Sequence, residues 1–87
     1  MKEKELKKLI DYYIAQQIKE KRNEKGFSMQ DMGDYLGVQK STYHYYESGE
    51  TSMDVYTIIS ICNHLGLSWS EIIENAEKKA RTKKSRK

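Results

Sequence analysis

Residues 28–49, SMQDMGDYLGVQKSTYHYYESG, constrain the chain more than any other stretch, because glycines and apolar residues alternate there at spacings that few folds admit. The window reads as two short helices joined by a tight turn. Gly33 falls where one helix would cross another closely. Gly37 falls where the chain must reverse, a place for the positive φ that glycine adopts cheaply. Val38, Tyr43 and Tyr46 give apolar positions at the turn and along one face of the second helix. Ser28 is placed to cap the first helix, with Asp31 at the third helical position, a weaker form of the capping box. Gln39 is a poor cap for the second.

The flanking segments are helical by the same reasoning. Leu6, Leu9, Ile10, Tyr13, Ile14 and Ile18 recur at spacings of three and four and form one apolar stripe. Nothing between Lys4 and Lys25 breaks the pattern, so one long helix and two abutting helices both satisfy it, and Gly26 closes it. Asp54 is placed to cap a fourth helix carrying Val55, Ile58, Ile59, Cys62 and Leu65, and Gly66 stops it. Ser68 and Glu71 make a capping box for a fifth, with Trp69, Ile72, Ile73 and Ala76 facing inward. After Ala76 the apolar pattern fades into basic residues. The expected organisation is all-α: a helical extension over 1–13, a five-helix domain over 14–76, and a basic, disordered tail over 77–87. The expected core is Ile18, Leu36, Val38, Tyr43, Tyr46, Val55, Ile59, Cys62, Leu65, Trp69 and Ile72.

A chain of 87 residues makes one domain with a small core. No apolar run approaches the ~20 residues a membrane span needs, and the N-terminus is too polar for a secretory signal. The single Cys62 excludes an internal disulfide and cannot build a zinc site alone. These features predict a cytoplasmic protein with no membrane association. No catalytic constellation, cofactor motif or metal-ligand cluster stands out, so the chain does not read as an enzyme. His64 is expected as a surface or boundary residue without a partner, Cys62 as a small core residue and Trp69 as an anchor of the fifth helix.

Charge is unevenly spread. The formal net charge is +3, yet from Gly26 to Glu74 the only Lys or Arg is Lys40, facing Asp31, Asp34, Glu47, Glu50, Asp54, Glu71 and Glu74. Positive charge gathers before the motif, at Lys19, Lys21, Arg22 and Lys25, and after it, in KKARTKKSRK.

Two helices joined steeply by such a turn form a helix-turn-helix unit, whose second helix can enter the DNA major groove. The stretch from about Ile14 to Ile73 resembles the lambda-repressor-like, Cro/C1-type (XRE) helix-turn-helix family. The matching residues are Arg22, Gly33, Gly37-Val38, Ser41-Thr42, Glu47 and Gly49, and the run Leu65-Gly66-Leu67-Ser68. Three positions depart from the family pattern. Met29 stands where a DNA-touching glutamine is common, with Gln30 one place later; Gly33 stands where alanine is more frequent; and Met53 stands where proline is frequent.

The resemblance implies a sequence-specific transcriptional regulator, a repressor by preference, acting as a homodimer on double-stranded DNA. It places base reading on Lys40, Ser41 and Tyr45, with Thr42 and His44 beside them. It places phosphate contacts on Ser28 and Gln39, and Gln30, one place after the family's glutamine, completes the expected DNA contacts. It also implies an ion pair between Arg22 and Glu47. Tyr43 and Tyr46 read as core, with hydroxyls reaching surface partners. The competing reading is a protein-interaction module, such as an antitoxin or a regulator's partner, with weak or no DNA binding. The acidic motif region and Met29 favour it.

Overall fold

The computed structural model describes residues 2–85, with side chains to residue 83. Five helices follow in order: α1 (Glu3–Lys25), α2 (Met29–Leu36), α3 (Lys40–Ser48), α4 (Val55–Leu65) and α5 (Trp69–Ser85). No strand occurs among the described residues.

The apolar stripe before Gly26 is one helix. At ~1.5 Å per residue its 23 residues reach about 35 Å, most of the 40 Å long axis of the molecule. Its buried face carries Ile14, Ala15, Ile18 and Arg22. α1 packs against α3, α4 and α5.

α5 runs antiparallel to it. The Gln17 side-chain amide donates to the Ile72 carbonyl at 2.9 Å, Asn75 donates to Gln17 Oε1 at 3.3 Å, and Lys79 Nζ stands 5.7 Å from the Tyr13 ring centroid.

The boundaries follow local chemistry. Ser28 and Asp31 form a reciprocal capping box, with both bonds at 2.9 Å. Asp54 Oδ1 accepts from the Thr57 amide at 2.7 Å. Gln39 makes no side-chain cap. Ser68 Oγ accepts from the Glu71 amide at a long 3.4 Å, so that cap is weaker than the sequence suggests. Gly37 adopts φ +75° and closes α2. Gly33 meets a separate constraint, because a Cβ there would sit 2.9 Å from the Val38 carbonyl oxygen. That approach brings the α2–α3 turn against α2.

The core is Ile14, Ile18, Met32, Tyr43, Ile58, Ile61, Cys62, Leu65, Ile72 and Ala76, with Leu36, Val38 and Tyr46 packed half-buried around it. Four expectations need correction. Val55 is 61% exposed and Trp69 42% exposed, so neither is core; Ile59 is half-buried, and Ile61 takes the deep position on α4. The segment expected as a disordered tail is helical through Ser85, because Ala80 continues the Ile72–Ala76 spacing and is fully buried. Residues 86 and 87 lie outside the described residues, as does Met1.

His64 is not partnerless. It stacks on Tyr35 with centroids 3.9 Å apart and on Phe27 at 5.0 Å. Tyr43 is fully buried, and its hydroxyl finds a buried partner rather than a surface one.

Candidate nucleic-acid interface

α3 has two unlike faces. Tyr43 and Glu47, four residues apart, point into the domain and are buried. Ser41, His44 and Tyr45 lie on the outward side and are exposed, and Lys40, in register with Tyr43 and Glu47, is exposed because it is the first residue of the helix. The His44 and Tyr45 rings meet edge-on at 5.7 Å, which orders two aromatic side chains on the outer surface. Thr42 is half-buried at the edge between the faces.

The inward face is held by charge. Arg22 Nε donates to Glu47 Oε2 at 2.7 Å and Nη2 to Oε1 at 2.8 Å, a bidentate pair between α1 and α3. Arg22 Nη1 donates to the Phe27 carbonyl at 2.7 Å, and the Tyr43 hydroxyl donates to Glu47 Oε2 at 2.6 Å. Every buried polar atom of this cluster is therefore matched. The hydrogen bonds from Arg22 to Glu47 hold the guanidinium above its ordinary range against the opposing effect of burial. Burial, and then the bond to Glu47, pushes the Tyr43 phenol well up. The pair fixes α3 from beneath at its C-terminal end.

At its other end α3 is open. Gln39 supplies no side-chain acceptor, and no acidic residue lies in the first turn. The first-turn amides and the positive end of the helix dipole therefore favour an anion. Lys40 stands there and is exposed. The remaining candidates lie around α2 and the turn. Ser28 is exposed at the α2 N-terminus, with its hydroxyl already accepting from Asp31. Gln30 is exposed but donates to Asp34 Oδ1 at 2.9 Å within α2. Gln39 is exposed at the turn.

The sequence reading missed a set of contacts around the loop that leaves α3. Lys7 Nζ donates to Ser52 Oγ at 2.7 Å and pairs with Asp11 at 3.0 Å, and Ser52 donates to Asp11 at 2.9 Å. A Cβ at Gly49 would lie 3.6 Å from Tyr12 Cα. The N-terminal half of α1 is thereby docked beside the end of α3. No local signal reports a contact between residues 7 and 52.

Residues 18–72 match the family model described as Helix-turn-helix, from α1 into α5 and across the α2–α3 unit. The chain belongs to the helix-turn-helix family. This bears out the Cro/C1-type resemblance of the sequence. The chain is 38% identical over 55 residues to the SPbeta prophage-derived HTH-type transcriptional regulator YonR of Bacillus subtilis (strain 168). That alignment takes in 63% of this chain and 51% of YonR, so the chain spans about half the length of that relative. The fold is shared with crystal structures of the clp gene regulator ClgR from Corynebacterium glutamicum. One matches with a TM-score of 0.76 at 17% identity, covering 88% of this chain and 82% of that one. A second matches with a TM-score of 0.72 at 18% identity, covering 82% and 92%. No helix of the described residues is long and apolar enough to cross a membrane.

Proposed function

We propose that the protein is a sequence-specific DNA-binding transcriptional regulator that reads the major groove with the outer flank of α3. The observation that carries this reading is the two-faced character of α3. Its inner side is pinned by Arg22, Tyr43 and Glu47, while Ser41, His44 and Tyr45 stand exposed on its outer side and Lys40 is exposed at its open N-terminus. A rigidly held helix with donors and aromatic rings outward suits base-edge readout. Lys40 donates to guanine or to a phosphate, Ser41 to either, and Tyr45 packs on a thymine methyl or reaches a phosphate. Ser28, Gln30 and Gln39 contact the backbone, and Thr42 supports the flank. The protein represses by occupying its operator and works in the cytoplasm without catalysis. A homodimer would place two recognition helices about one DNA turn, ~34 Å, apart.

Selection of binding sites from a random duplex pool, followed by a salt-titrated mobility shift, tests the reading. An enriched two-fold-related motif is the expected result, and absence of any duplex binding at low salt rejects it.

One observation favours a protein-interaction module instead. Residues 26–74 carry one lysine against seven carboxylates, a poor balance for attracting DNA. Stoichiometric capture of a protein partner with no DNA binding would establish that alternative.

The dimer contact is assigned to the N-terminal half of α1, where Leu6, Leu9 and Ile10 remain half-exposed beside α5. Leu6→Glu with Ile10→Glu is expected to halve the mass in solution. An unchanged mass would move the contact elsewhere, with Val55, Tyr56 and Trp69 the next exposed apolar residues to test.

A further inference from the structure

A cleft of about 610 Å3 lies between α1 and α5, lined by Tyr13, Lys78, Lys79, Thr82 and Lys83. Its lining is unusual for this protein. Three ammonium groups and one hydroxyl surround an aromatic ring, and no carboxylate takes part. Glu77, the nearest acid in sequence, is engaged by Arg81 at 3.0 Å. Among the described residues, Lys78, Lys79 and Lys83 have no carboxylate partner within 4.0 Å. Lys79 is held over the Tyr13 face. The α1 wall of the cleft is mid-helix, and the fully buried Ala76 and Ala80 dock the α5 wall.

Its position is informative. Tyr12 lies against Gly49, the residue that ends α3, and the Tyr12 and Tyr13 rings meet edge-on at 5.3 Å. The α1 wall of the cleft therefore adjoins the place where α1 touches the end of α3.

We propose that the α1–α5 cleft is a second phosphate-binding surface, which holds the DNA backbone outside the bases read by α3 and supplies the positive charge that the motif lacks. The proposal rests on the DNA-binding reading of α3. Another cleft on α1, lined by Lys4, Lys7, Lys8, Asp11, Gly49, Glu50 and Ser52, includes two carboxylates and is less suited to an anion.

The test compares the full chain with a Lys78→Gln/Lys79→Gln/Lys83→Gln variant on a selected duplex and on an unrelated duplex of equal length. Each phosphate neutralised contributes ~0.9 to the slope of log affinity against log salt. The variant is therefore expected to lose about 2–3 from that slope on both duplexes, and to keep its preference between them. Thr82→Asp, which puts a carboxylate in the cleft, is expected to weaken both equally. Helicity and melting temperature of each variant confirm folding. In the intact protein, duplex DNA is expected to shift the amide resonances of Tyr13, Lys79 and Thr82.

An unchanged salt slope, with selected-site binding intact, overturns the cleft proposal and leaves the regulator standing. Saturable shifts with inorganic phosphate or a mononucleotide that duplex DNA does not displace also overturn it, in favour of a small-ligand site. Failure of the intact chain to bind any duplex rejects the regulator itself.

Discussion

Arg22 and Glu47, 25 residues apart, meet through two parallel hydrogen bonds of 2.7 and 2.8 Å in a site where both are buried. The pair joins the last turn of the molecule's longest helix to the end of the helix proposed to read DNA. Removing one partner strands a buried charge. Arg22→Met or Glu47→Leu alone is expected to cost ~3–5 kcal/mol in chemical denaturation. The double substitution should recover most of that loss. It should stay below the parent unless Tyr43→Phe is added, because the Tyr43 hydroxyl would otherwise lose its acceptor.

Gly33→Ala sets two effects against each other. Alanine gains about 1 kcal/mol of helix propensity over glycine. The new Cβ would press on the Val38 carbonyl oxygen at 2.9 Å, an overlap with backbone that costs about 1–3 kcal/mol. A lower urea midpoint is expected, and Gly33→Val should be worse. A rise in the midpoint for alanine would mean that α2 and the turn separate at no cost.

The helix caps set the acid limb of stability. Bonds from Ser28 hold the Asp31 carboxyl below its ordinary value of 3.8, and bonds from Thr57 do the same for Asp54. Their folded values are depressed, so the stability they contribute is whole above 3.8 and is lost as pH falls through the lower folded values. Urea midpoints are expected to drop over that interval. In Asp54→Asn, which keeps an acceptor but has no proton to bind, the drop should be shallower.

Burial pushes the Cys62 thiol up to about 11. Above the ordinary value of 9.0 the unfolded chain ionises first, so stability declines as pH rises from there toward 11. At pH 8 the thiol is both protonated and fully enclosed. Its alkylation is expected to proceed at the rate of unfolding, and fast labelling of the folded protein would contradict the packing of α4.

Lys40→Ala is expected to weaken binding to a selected site by about 1–3 kcal/mol and to relax preference at one base pair, the cost of a lost guanine contact. Unlike the cleft lysines, it should alter discrimination more than salt dependence. Equal binding by parent and variant in a mobility shift would remove Lys40 from the reading surface.

What the sequence revealed was what local chemistry decides. The Ser28–Asp31 box, the Asp54 cap and the turn at Gly37 each involve residues a few positions apart, and all three appear as expected. On α3 spacing sets Tyr43 inward and Ser41, His44 and Tyr45 outward, whereas Glu47 was placed only by the resemblance, and Lys40, three residues before Tyr43, is exposed because it opens the helix. Val55 and Trp69 misled because each is the first residue of its helix. Side chains lean toward the helix N-terminus, so a first-position residue projects past the end rather than into the core. Ala80 is masked by the basic residues around it, although Ile72, Ala76 and Ala80 keep a strict four-residue step. The stack of Phe27, Tyr35 and His64, and the meeting of Tyr13 with Lys79, join distant segments for which no local pattern exists.

The antiparallel pairing of α1 with α5 also dictates an order of assembly. During synthesis α1 precedes the helices it packs against, and its stripe is not fully covered until Ile72, Ala76 and Ala80 have left the ribosome. Joining Gln17 to Ile72 closes a loop of 55 residues, while α2 and α3 need only a two-turn neighbourhood to meet. Such long-range closure slows folding relative to local pairing. The central helices have the means to associate early, and the step that joins the two outer helices converts that loose assembly into the cooperative domain.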